Sequence, residues 1–144
     1  MQRGMSEEQN IIEADRDEEF RTLVLSRLTE NNLGQELYRP PEKFDLKVTQ
    51  GDEIIAGLCA KCRGRWLYVE LLWVDENNRN KGLGTKLLDK ALQKGRENGC
   101  HSAFVDTYEW EAPEFYKKHG FEVTQVLNNI FGEFSRYHLS KKLT

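Results

Sequence analysis

Arg79-Asn80-Lys81-Gly82-Leu83-Gly84-Thr85 lies between an apolar run, Trp66 to Val74, and a segment of helical periodicity, Leu83 to Leu92. That order reads as strand, glycine-bearing turn and helix. The first N–H groups of a helix have no internal partner, and the macrodipole adds partial positive charge there. Glycines let the backbone come close to an anion. The turn therefore predicts a phosphate-bearing ligand.

A Walker-type loop requires Lys followed by Ser or Thr after its second glycine, whereas Thr85 and Lys86 stand in the reverse order. A dinucleotide fingerprint requires a third glycine where Leu87 stands, and a turn directly after the strand. Neither motif fits. The pattern Arg/Gln-x-x-Gly-x-Gly/Ala does, through Arg79, Gly82 and Gly84, and it resembles the acyl-CoA pyrophosphate loop of the GNAT superfamily of N-acetyltransferases. Ala112 to Phe121, read Ala-Pro-Glu-Phe-Tyr-Lys-Lys-His-Gly-Phe, resembles a second block of that family, Ala-x-x-Phe/Leu-Tyr-x-x-x-Gly-Phe. The two blocks stand in family order with one helix and one strand between them. The resemblance covers Ile54 to the C-terminus, and within it Leu67 to Gly84 and Asp106 to Phe121 look most like small-molecule acetyltransferases of the antibiotic-resistance kind.

Outward from the turn, Leu67, Val69, Leu71 and Trp73 alternate with Trp66, Tyr68, Glu70, Leu72 and Val74. Both sets are largely apolar, which predicts a central strand covered on both sides. Upstream, Asp45 to Thr49 and Ile54 to Lys61 complete an antiparallel meander with turns at Gly51-Asp52 and Cys62 to Arg65. Phe20, Leu23, Val24 and Leu28 predict a helix over 16–31. Ile11 to Ala14 reads as a short first strand, Leu37 to Phe44 as a loop, and residues 1–10 as a flexible leader. Downstream, Leu83, Leu87, Leu88, Ala91 and Leu92 form a helical stripe closed by Asn98-Gly99. Ser102 to Thr107 follows as a strand and Ala112 to His119 as a short helix opened by Pro113. Phe121 to Leu127 and Phe134 to Leu139 are the last strands, joined by a loop containing Asn128, Asn129 and Gly132. The expected fold is one α+β domain over 1–144. The resemblance implies a mixed, mainly antiparallel sheet of six to seven strands with helices on both faces.

The chain has 144 residues, 38% hydrophobic and 31% charged, and a formal charge of −3 from 21 Lys and Arg against 24 Asp and Glu. That balance gives no support to a nucleic-acid binder relying on bulk charge. No apolar run reaches the roughly 20 residues that span a bilayer, and Met1 to Asp17 lacks an apolar signal core, so a cytoplasmic protein is expected. Three cysteines suggest no disulfide framework. The spacing of Cys59 and Cys62 in a strand directs them to opposite faces and His101, His119 and His138 are scattered, so no metal is expected.

The resemblance implies that acetyl-CoA is the co-substrate, its pyrophosphate on Arg79, Asn80, Lys81, Gly82, Leu83, Gly84 and Thr85 and its pantetheine arm along Leu72, Trp73 and Val74, with Pro113 and Tyr116 as further contacts. The family splays its fourth and fifth strands, here Trp66–Val74 and Ser102–Thr107, which frees edge amides for the arm and for the thioester oxygen. An amine near neutral pH must lose a proton before it attacks. Glu70 matches the family's acidic position and Asp106 stands in the next strand. Either serves as base, directly or through water, and draws a cationic substrate. Tyr116 matches the tyrosine that protonates the departing thiolate. Where many members carry Asn, this chain has Glu109. The Tyr108-Glu109-Trp110-Glu111 cluster offers aromatic and acidic groups to line an acceptor pocket, which would suit a cationic or ring-bearing amine.

Structural readings stand beside these. Tyr116 reads equally as a core aromatic, and Glu70 as the partner of Arg65 or another cation. Asp106 reads as half of an ion pair, Arg79 as a solvated cation, and Tyr108 and Trp110 as caps on the core. The expected activity is acetyl transfer to a primary amine of a small molecule in a ternary complex. A protein or peptide acetyltransferase and a non-catalytic CoA-binding module are the alternatives. Phe134 to Leu139, with Phe131 and Tyr137, offers a pairing strand for a homodimer.

Overall fold

In the computed structural model, whose described residues are 8–15 and 17–144, the chain divides after Tyr38 into two units. The first contains one helix, α1 (Glu18–Leu33). The Asp17 side chain caps it by accepting the Glu19 N–H at 2.8 Å, Glu18 and Glu19 suit the positive end of its dipole, and Gly34 closes it. The expected start at residue 16 and most of the expected flexible leader, residues 1–7, lie outside the described residues. Ile11 to Ala14 does not form the expected strand: it has no regular structure, and both isoleucines are exposed. So short a run gains little without a ladder to join, and the sheet described below contains no strand from it.

The second unit, Arg39–Thr144, holds a six-stranded mixed sheet in the order β1-β2-β3-β4-β6-β5. The strands are β1 (Glu42–Gln50), β2 (Glu53–Arg63), β3 (Trp66–Val74), β4 (Ser102–Tyr108), β5 (Glu122–Phe131) and β6 (Phe134–Lys142). All neighbours pair antiparallel except β3 and β4, which are parallel. This is the mixed, mainly antiparallel sheet that the resemblance implies. β1 starts directly after Pro41, inside the expected loop, because Phe44 packs against the core. β5 runs through Asn128 and Asn129 rather than ending at Leu127. An irregularity between Leu127 and Phe131, with Asn129 at φ 53°, absorbs the misfit. β6 has a neighbour on each side, β4 and β5. The edge at this end of the sheet therefore belongs to β5, not to the Phe134–Leu139 strand expected to pair across a dimer.

The β3 register corrects the predicted alternation. Cys59 pairs with Leu71 and Ala60 with Val69, so Glu70 is an extra residue bulged out of the ladder. Past it the faces exchange. Leu72 and Val74 join Leu67 and Val69 against the core, while Leu71 and Trp73 are 65% and 49% exposed.

The core forms where α2 (Leu83–Glu97) lays Leu87, Leu88, Ala91 and Leu92 over Leu58, Leu67, Val69, Val105 and Leu139. At Gly95 an added Cβ would lie 3.0 Å from Leu67 Cδ2, which shows how closely the helix approaches the sheet. Leu88 is 0% exposed, so Leu88→Ala is expected to cost about 2–5 kcal/mol, read from urea unfolding midpoints. Cys62 and Cys100 are buried in this core and Cys59 sits on the other side of β2 near Asp45. All three are free thiols.

Candidate active site

The parallel pairing of β3 with β4 stops at Val69 and Val105. β4 continues along β6 as far as Tyr108, but Leu71 to Val74 of β3 find no β4 partner. The strands part at the bulge, and a cleft of about 770 Å³ opens there, within the range of small-molecule sites. Leu72, Trp73 and Val74 form one wall. Arg79, Asn80, Gly82, Leu83, Gly84 and Thr85 form its end, and Trp110 and Tyr116 the opposite side.

The end wall suits an anion. Gly82 takes a left-handed conformation (φ 81°, ψ 10°) at the N-cap of α2, and Lys86 N–H makes the first helical hydrogen bond, to the Gly82 carbonyl. No side chain caps the helix, and its first turn carries no acidic residue. The N–H groups of Leu83, Gly84 and Thr85 are thus the helix's free donors, facing a cleft they themselves line. Arg79 is tethered by its Nε, which donates to the Val74 carbonyl at 3.1 Å.

Tyr116 stands on α3 (Pro113–Lys118), which Gly120 at φ 87° terminates. The ring is 6% exposed and packs edge-on against Phe115 and Phe121. Burial, and then the negative charges of Glu111 and Asp106, push its hydroxyl up to about 12, so it is protonated at neutral pH. His119 ties α3 to α2. Its Nδ1 donates to the Phe115 carbonyl at 2.8 Å, and its Nε2 is hydrogen-bonded to the Thr85 hydroxyl at 3.1 Å.

The remaining expected site residues stand back from the cleft lining. Lys81 reaches Asn78 at 3.4 Å, and Pro113 occupies the first turn of α3. Glu70 pairs with Lys61 at 3.5 Å, a partner other than Arg65. Asp106 accepts from Arg136 at 2.7 Å and from the Tyr68 hydroxyl at 3.3 Å. Burial and the Asp106 charge push the Tyr68 hydroxyl up. Tyr108 stacks between Trp110, at 4.7 Å, and the Arg136 guanidinium, at 4.3 Å. Glu109 accepts from the Tyr137 hydroxyl at 3.3 Å. Glu111, of the expected acceptor cluster, lines the cleft, and so do Asn78, Ala112 and Phe115, which were not singled out as contacts. Ala112 and Phe115 lie in the Ala112–Phe121 block, whose spacing was the signal available for them. Among the described residues no His, Cys, Asp and Glu group is arranged to hold a metal, and no helix is long and apolar enough to cross a membrane.

A family model described as the acetyltransferase (GNAT) family matches residues 8–121. Blasticidin-S acetyltransferase of Streptomyces morookaense is 39% identical over 92 residues, which are 63% of this chain and 68% of that protein. An acetyltransferase of Agrobacterium fabrum is 32% identical over 108 residues, 73% of this chain and 77% of that one. The crystal structure of an acetyltransferase from Bacillus cereus superposes with a TM-score of 0.79 at 28% identity, covering 93% of this chain and 97% of the other.

Proposed function

We propose that this chain, which belongs to the GNAT family of acetyltransferases and is an acetyl-CoA-dependent N-acetyltransferase, acts on a primary amine of a small molecule by direct attack in a ternary complex. The observation that carries the reading is the parting of β3 from β4 at Glu70. It places unpaired strand amides, the open start of α2 and the Tyr116 ring around one cleft. The similarity to blasticidin-S acetyltransferase favours a small-molecule acceptor over a protein chain. Three free thiols favour a reducing, cytoplasmic setting.

In this reading acetyl-CoA supplies the activated acetyl thioester. The N–H groups of Leu83, Gly84 and Thr85 bind the pyrophosphate, and the backbone of Leu72 to Val74 aligns the arm. A freed β3 amide donates to the thioester oxygen as negative charge develops on it. Glu70 takes the proton of the amine through water. Asp106, already held by Arg136 and Tyr68, supplies field rather than proton transfer. The Tyr116 hydroxyl protonates the departing sulfur.

The test is a thermal shift with acetyl-CoA, CoA, ATP and NAD side by side, followed by thiol release across a panel of amines. The two CoA species alone are expected to raise the melting temperature, since ligand at 100 times its Kd adds about 2.7 kcal/mol. The amine that drives thiol release identifies the acceptor class. No shift with either CoA species at saturation overturns the assignment of the α2 start.

A further inference from the structure

Three acids come from the segments that bound the cleft, and the two that stand back from its lining already have cations. Glu70 is paired with Lys61, and Asp106 with Arg136. Glu111 forms no ion pair among the described residues, and it lines the cleft itself. The turn after β4 fixes its position: Oε1 accepts the Tyr108 N–H at 2.7 Å, and the Glu111 N–H donates back to the Tyr108 carbonyl at 2.9 Å. The other oxygen, Oε2, has no hydrogen-bond partner among the described residues. Beside it Trp110 also lines the cleft, 53% exposed and held by its stack on Tyr108.

From this geometry we infer that Glu111 and Trp110 form the subsite for the positive end of the acceptor, so that the enzyme selects amines that carry their charge next to an apolar or aromatic body. A carboxylate with a free oxygen attracts an ammonium, and an indole face adds cation–π attraction to the same charge. Glu111 and Tyr116 line the same cleft, so a nitrogen captured there enters the space that also holds the departing sulfur's proton donor. The inference rests on the acetyl-transfer reading.

Glu111→Gln tests it, because the amide oxygen still accepts from Tyr108 N–H while the charge is gone. The probes are benzylamine, a cation at neutral pH, and O-benzylhydroxylamine, a neutral analogue of similar shape. Each is assayed as acceptor or, where it is not acetylated, as competitor of the best amine of the panel. Glu111→Gln is expected to raise the KM or inhibition constant for benzylamine roughly fivefold, the scale of a solvent-accessible ion pair. The constants for O-benzylhydroxylamine and acetyl-CoA stay within about twofold of the parent enzyme. Glu114→Gln, which removes an exposed acid paired with Lys117, changes neither. Glu111→Ala also drops the Tyr108 anchor and is expected to lose melting temperature, which Glu111→Gln keeps. An unchanged benzylamine constant, or equal changes for the cationic and neutral probes, overturns the subsite while thiol release by the parent enzyme leaves acetyl transfer standing. Absence of thiol release with every amine overturns both.

Discussion

Tyr116→Phe is expected to lower kcat by about 10²- to 10⁴-fold, the range set by removing a positioned general acid. The affinity for acetyl-CoA should hardly change. The ring is 6% exposed and wedged between Phe115 and Phe121, with centroids 5.2 and 5.6 Å away, so phenylalanine keeps the packing and loses only the hydroxyl. The acid works in its protonated form. With its pKa pushed up to about 12, the tyrosine-dependent part of kcat is fully present across neutral and mildly alkaline pH, and is lost only as pH rises through that value. An ordinary tyrosine would begin to lose it near 10. The same shift acts on stability. Between those two values the folded chain holds a proton that the unfolded chain has released, so stability falls as pH rises through the interval. The measurement is kcat of parent and variant from about pH 6 to about pH 10. Equal values across that range remove Tyr116 from the chemistry.

The sequence reads β3 to the residue, Trp66 to Val74, because charged or glycine-bearing turns bracket an unbroken apolar run. What it cannot show is the bulge inside that run. Leu71 and Trp73 are as apolar as Leu72 and Val74, so either phase satisfies the pattern, and only the register against Cys59 and Ala60 identifies Glu70 as the inserted residue. The lone acid in an apolar strand was the visible trace of it. The partners of the acids were equally illegible. Lys61 faces Glu70 through β2 pairing, and Arg136 reaches Asp106 through β6, contacts that depend on strand order rather than on spacing. The anion-binding turn was legible because its requirement is local: a left-handed residue before a helix calls for glycine, and Gly82 supplies it. Glu111 was legible in the acidic and aromatic cluster after β4, whereas Phe115 stands beside Tyr116 as one more apolar residue whose direction its spacing does not show. The turn that follows β4 aims them at the same space.

That local requirement makes Gly82→Val the sharpest test of the donor site. A Cβ at Gly82 would meet no protein atom within 4 Å, so the substitution acts through backbone conformation and through the space its side chain takes in the cleft. At φ 81° a β-branched residue is strained by about 1–2 kcal/mol and relieves that strain by turning toward negative φ. Relief re-aims the N–H groups of Leu83, Gly84 and Thr85, and displacements of about 1 Å at a positioned site cost up to roughly 10²-fold. The KM for acetyl-CoA is expected to rise at least about tenfold toward that limit, and the CoA-induced melting shift to shrink with it. Gly51→Val is the control. Gly51 also has positive φ, 62°, and open space around its Cβ, but it lies in the β1–β2 turn, far along the chain from α2. It should lose comparable stability and keep the acetyl-CoA KM. Gly84→Ala discriminates further, since its Cβ would lie 3.4 Å from the Phe115 ring inside the helix, a contact that ring can yield to. It should therefore bind acetyl-CoA better than Gly82→Val. Were Gly82→Val and Gly51→Val to raise the acetyl-CoA KM equally, the effect would be general destabilisation, and the start of α2 would lose its claim to the pyrophosphate.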